Sequence, residues 1–119
     1  LGDLIDKLKE PAESVELRFK ITESDFRPVG DRILEELEQY ALSKGWDVAD
    51  DSREGVRISF GTGQGDGWFL LRLSVHDPVM PLNIESNAYG GCRLMAEKLQ
   101  EFINKQNGLD SQTLTEYLN

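Results

Sequence analysis

The chain has 119 residues, 39% of them hydrophobic and 29% charged, the profile of one folded domain with an ordinary core and not of a disordered segment. Its 13 basic and 22 acidic residues leave a net charge of −9, which argues against a nucleic-acid binder and confines any anion site to a local pocket of donors. The single cysteine, Cys92, excludes an internal disulfide and a cysteine-built zinc site.

Leu1, Leu4, Ile5 and Leu8 recur at helical spacing and Pro11 ends the run, so residues 1–12 read as a short helix or a linker from a preceding domain. The opening Leu1-Gly2-Asp3, without an initiator methionine, fits a piece of a longer chain. Residues 14–22 alternate: Val15, Leu17, Phe19 and Ile21 on one side, Glu16, Arg18 and Lys20 on the other, which predicts a strand with one wet face. Pro28 suits the first turn of a helix carrying Ile33, Leu34, Leu37, Tyr40 and Ala41 inward. Asp31 and Glu35 suit its positive amino end, and Gly45 is its expected stop.

Trp46 to Ala49 predicts a short strand, 50–54 a turn, and Val56, Ile58 and Phe60 a second one-sided strand. The glycine-rich stretch 61–67 leads into the nearly continuous apolar run Trp68 to Leu73, as a central strand would read. Ser74 to Pro78 interrupts that run before Met80, Leu82 and Ile84 resume alternation. Asn87 is the expected cap of a last long helix, with Cys92, Met95, Ala96, Leu99, Phe102 and Ile103 as its apolar stripe. In that setting Cys92 reads as a small buried hydrophobe and not as a nucleophile. Residues 13–107 therefore form the predicted domain, and 108–119 a tail or short helix. The order strand, helix, four strands, helix predicts an α+β two-layer sandwich, a mainly antiparallel sheet with two helices on one face. No run approaches the roughly 20 apolar residues of a membrane span, and no signal peptide is evident.

Two segments have the composition for anion chemistry. The 61–67 loop has glycines enough to cradle phosphate, but a strand follows it where a phosphate loop needs a helix, so it reads as a flexible hairpin connection. Arg72-Leu73-Ser74-Val75-His76-Asp77-Pro78 is more informative. Arg72 supplies a forked, permanent cation, Ser74 a hydroxyl and His76 a ring donor. Asp77 can orient His76 or Arg72, and Pro78 sets the exit of the turn. Backbone N–H groups in such a turn can form an anion nest. Equally, these polar groups could do no more than satisfy one another in a strand–loop–strand turn. Ser74, His76 and Asp77 do not make a catalytic triad, whose members converge from separate elements. His76 is the only histidine, too few for a zinc site.

The stretch Gly67-Trp68 to Pro78, followed by Leu82-Asn83-Ile84-Glu85, resembles the phosphate-binding loop of the α-D-phosphohexomutases, the phosphomannomutase/phosphoglucomutase family. Their last domain carries Gly-Trp-x-x-x-Arg-x-Ser-Gly-Thr/Asn-Glu-Pro, with a glutamate on the next strand. Gly67, Trp68, Arg72, Ser74, Pro78 and Glu85 match, and the stretches Val15 to Phe19 and Glu54 to Ile58 are also similar, so the likeness covers residues 13–105. It implies a fold like half of the TATA-binding protein. It further implies a domain that clamps the phosphate of a hexose phosphate, while preceding domains of the same chain supply a phosphoserine, magnesium and the sugar-binding loop. Phosphoryl transfer then runs between the C1 and C6 oxygens. On this likeness Arg72, Ser74 and His76 are the expected phosphate ligands, supported by Val75, Asp77 and Pro78. No catalytic residue or cofactor is expected in this domain, and magnesium is expected in the full enzyme. Val75 stands where the family has glycine, Asp77 where it has glutamate, and Pro81 where an arginine is often found.

Two other readings remain. A small-anion or metabolite-binding regulatory module would use the same face without catalysis. An RNA-binding sheet would need exposed aromatics, and the wet-face positions Glu16, Arg18, Lys20, Arg57, Ser59 and Glu85 offer none. The expected partners are therefore a hexose phosphate and the preceding domains, without nucleic acid or membrane. The expected compartment is the cytoplasm, or an organelle stroma if a transit segment lies upstream.

Overall fold

A computed structural model describes residues 12–49 and 55–119. The expected helix at 1–9 and turn at 50–54 lie outside the described residues. The elements follow in the order β1 (Glu13–Lys20), α1 (Phe26–Ser43), β2 (Asp47–Val48), β3 (Gly55–Phe60), β4 (Gly67–Arg72), β5 (Val79–Ser86), α2 (Gly91–Asn104) and α3 (Gln112–Leu118).

The five strands form one sheet in the order β1-β5-β4-β3-β2, every neighbour antiparallel. Helix α1 carries the chain from the β1 edge to the β2 edge, and the remaining strands return as a meander. The predicted α+β class and antiparallel sheet hold. The period-two alternation sets the faces: Leu17 and Phe19 of β1, Ile58 of β3, Phe69 and Leu71 of β4, and Met80, Leu82 and Ile84 of β5 are all buried. They meet Ile33, Leu37 and Ala41 of α1 and Met95, Ala96, Leu99 and Ile103 of α2 in one core. Each such large aliphatic or aromatic side chain contributes about 1.5–3 kcal/mol of burial. The segment read as a tail also enters this core, through Leu109, Leu114 and Leu118. Leu109 bridges to Ile21, just past the end of β1.

Two helix ends show how local chemistry placed the elements. Gly45, at φ 76°, ends α1: its N–H donates to Leu42 O at 3.1 Å, and the Trp46 N–H reaches back to Ala41 O at 2.9 Å. This is a Schellman stop, which needs a left-handed residue and so a glycine. It turns Trp46 onto Tyr40, ring centroids 5.6 Å apart, and into a cluster with Phe60 and Phe69. At the other end α1 starts at Phe26, two residues before Pro28, so Asp31 and Glu35 fall beyond the first turn, where the helix dipole has faded.

Asn87 does not cap α2. Gly90 holds that position, and the free Cys92 N–H is taken by Glu13 Oε1 at 3.3 Å. The reason is Ser86, the only buried polar residue among those described. Its hydroxyl donates to Gly65 O at 2.5 Å and lies 2.9 Å from Ala88 O, and it accepts the Ala88 N–H at 3.0 Å. This hub ties the 61–66 loop to the turn before α2. A Cβ on Gly91 would strike the Ser86 hydroxyl and Gly65 O, so the helix must begin with a glycine there.

The three described helices lie against the core face. Among the described residues no helix covers the other face, which carries Arg57, Trp68, Leu70, Arg72, Asn83 and Glu85. This corrects the expectation of a wet face without aromatics: the Trp68 ring lies there, with the Arg57 guanidinium 4.5 Å from its centroid. The run 68–71 is apolar throughout and only Arg72 interrupts it, so alternation marks its faces weakly; pairing sets Trp68 opposite Glu85 and Leu70 opposite Asn83.

Candidate functional site

The predicted anion segment begins where β4 ends. Arg72 is the last residue of the strand, paired with Gly55 of β3. Leu73 then leaves the sheet and seats its side chain on Gly30 of α1, where an added Cβ would stand 2.5 Å from Leu73 Cδ1. That glycine lets the helix and the loop approach closely. Beyond it the Ser74 N–H donates to Val79 O at 3.0 Å and closes the loop. Within the loop the Asp77 N–H points to Ser74 Oγ at 3.4 Å, and the Val79 N–H donates to Asp77 O at 2.7 Å. Part of the segment's polar capacity is thus spent inside the turn.

A cavity of about 570 Å³ opens between this loop and α1. Arg72 and Ser74 both line it, together with Val75. His76, Asp77 and Pro78 do not; they are exposed on the loop. The structure therefore joins the guanidinium and the hydroxyl read from the sequence and leaves the imidazole outside the cavity wall.

The opposite wall is α1. Arg27, Asp31, Glu35 and Glu38 line the same cavity. None of them was read as a site residue, because they lie more than thirty positions before Arg72 in a helix whose polar face looks like ordinary solvated surface. Their spacing was the available signal: Arg27, Asp31, Glu35 and Glu38 fall on one side of a helix. Arg27 Nη2 reaches across to donate to Val75 O at 3.5 Å. Two guanidiniums and one hydroxyl thus face three carboxylates. Such a cavity can hold an anion only beside an arginine, and it offers hydrogen-bond acceptors to the rest of a polyol.

Two titratable groups lie elsewhere, against the core. The Cys92 thiol is fully buried, and burial, reinforced by Glu13 and then Glu85, pushes its pKa up to about 11. The thiolate needed for nucleophilic chemistry is therefore disfavoured. Burial also raises the Tyr117 hydroxyl, with Cys92 and Glu13 adding to the effect. Among the described residues no group of three His, Cys, Asp or Glu stands ready to hold a metal ion, and no helix is long and apolar enough to cross a membrane. No protein-family model matches the chain, and no curated protein matches it.

Proposed function

We propose that this chain is the phosphate-binding domain of a phosphohexomutase. Arg72 and Ser74 hold the phosphate of a hexose phosphate while preceding domains move the phosphoryl group between the C1 and C6 oxygens. The observation that carries this reading is that Arg72 and Ser74, two positions apart at the end of β4, line one cavity. Arg72 makes no ion pair with the other described residues, and its fork is of the shape that takes an oxyanion through two hydrogen bonds. Phosphoryl transfer asks a protein chiefly for positioning and charge neutralisation, which a clamp of this kind supplies. Magnesium belongs to the preceding domains in this reading, and the isolated domain is not catalytic. The setting is the cytoplasm or an organelle stroma.

The three carboxylates of α1 favour a second reading, a non-catalytic module that binds a small metabolite through the same cavity. A net charge of −9 gives no long-range help to an anion in either case.

Glucose 1-phosphate titrated into the isotope-labelled chain should shift the backbone amides of residues 72–77, and Arg72→Ala should abolish the response. A charge-assisted hydrogen bond is worth roughly 1.5–3 kcal/mol, so a few of them give a site in the millimolar range. Amides that stay still at several millimolar ligand would refute the clamp. Mutase activity on joining the chain to its preceding domains separates the first reading from the second.

A further inference from the structure

We propose that Arg27 is a second anion-gripping residue of this cavity, so that phosphate is held between the loop and α1 and not by the loop alone. The inference rests on the anion reading above and adds a ligand to it. Three observations support it. Among the described residues Arg27 is the one other cation lining the cavity that contains Arg72 and Ser74. Its guanidinium is directed at the loop: Nη2 donates to Val75 O, 48 residues away, and makes no ion pair with Asp31, one turn ahead on the same helix. Arg32 shows that such a pair is open to an arginine on this helix, since it pairs with Glu36 at 3.5 Å over the same spacing. Finally, the distance between the walls is set from behind, because Leu73 rests on Gly30, one turn from Arg27.

The electrostatics favour a second cation. Arg72 alone would face Asp31, Glu35 and Glu38 in the same cavity; Arg27 offsets one of these carboxylates, and a phosphate is attracted only close to the guanidiniums. With Arg27 the two guanidiniums offer ten N–H donors between them, of which Val75 O engages one. Arg27 also lies in the first turn of α1, where the helix end adds partial positive charge.

The test is calorimetric titration of inorganic phosphate and of glucose 1-phosphate into the whole chain and its variants. Arg27→Ala should weaken both ligands by about tenfold, the size of one lost charge-assisted hydrogen bond. Arg27→Lys keeps the charge and should recover part of that loss. Arg27→Gln keeps a polar side chain without the charge and should be as weak as Arg27→Ala. Unaltered affinity in Arg27→Ala, alongside loss of binding in Arg72→Ala, would overturn the role of Arg27 and leave the clamp standing. Full binding by Arg27→Gln would reduce Arg27 to a prop for the loop and also overturn it. If the unmodified chain binds neither ligand, both readings fall.

Discussion

Gly30 and Leu73 together decide where the candidate loop sits, and their coupling can be measured. Gly30 lies inside α1, where alanine would ordinarily stabilise the helix by about 0.8–1 kcal/mol. Here the new methyl would stand 2.5 Å from Leu73 Cδ1, 2.7 Å from Cδ2 and 3.0 Å from Cγ. Leu73 would have to swing aside, and overpacking of this kind costs about 1–3 kcal/mol. Gly30→Ala should therefore destabilise the protein by up to about 2 kcal/mol, the clash outweighing the propensity gain. In a Leu73→Ala background the space is empty, and Gly30→Ala should change sign and stabilise by about 1 kcal/mol. The coupling energy from the four-variant cycle should then be about 1–3 kcal/mol, read from urea midpoints at constant slope. Because Leu73 follows Arg72 and precedes Ser74, Gly30→Ala should also weaken phosphate binding, and Leu73→Ala should restore none of it. Equal effects of Gly30→Ala in both backgrounds would show that Leu73 is not seated on this glycine and would remove the account of how the loop is held.

Ser86→Ala should cost about 1–3 kcal/mol, since it strips a buried hub and leaves Gly65 O and the Ala88 N–H short of partners; hydrogen exchange should quicken in residues 61–66 and 87–91 before the rest of the sheet. Cys92 should resist alkylation at pH 8 in the folded protein and react at once in denaturant. Its neutral thiol is favoured by folding, so the stability it confers is intact below the unfolded value of 9.0 and is lost as the pH climbs towards about 11. Comparing urea midpoints at pH 8 and pH 10.5 should show a smaller fall for Cys92→Ala than for the unmodified chain, with Tyr117 acting in the same direction in both.

The candidate site was legible only where its residues are neighbours in sequence. Arg72 and Ser74 could be picked out because a guanidinium and a hydroxyl two apart break an apolar run, and both line the cavity. His76 looked equivalent, but the turn closed by Ser74 N–H to Val79 O leaves it on the exposed part of the loop. Arg27 and the α1 carboxylates could not be assigned to the site, since their distance from it in the chain carries no information about distance in space.

Local rules determined the elements themselves. Strict alternation in β1 and β3, the 3.6-residue stripes of α1 and α2, and Gly45 as a helix stop are all patterns of a few neighbouring residues, and each marks its element within the segment itself. Pairing and packing determined everything that depends on distant partners. The side on which Trp68 emerges follows from β4 lying between β3 and β5, because the apolar stretch Trp68 to Leu71 does not alternate and so marks no face of its own. The beginning of α2 follows from Ser86 occupying the space in front of Gly91, and the far wall of the cavity from Leu73 settling on Gly30. Short-range periodicity is written in the order of side chains, whereas register and close approach arise only when separate segments compete for the same volume.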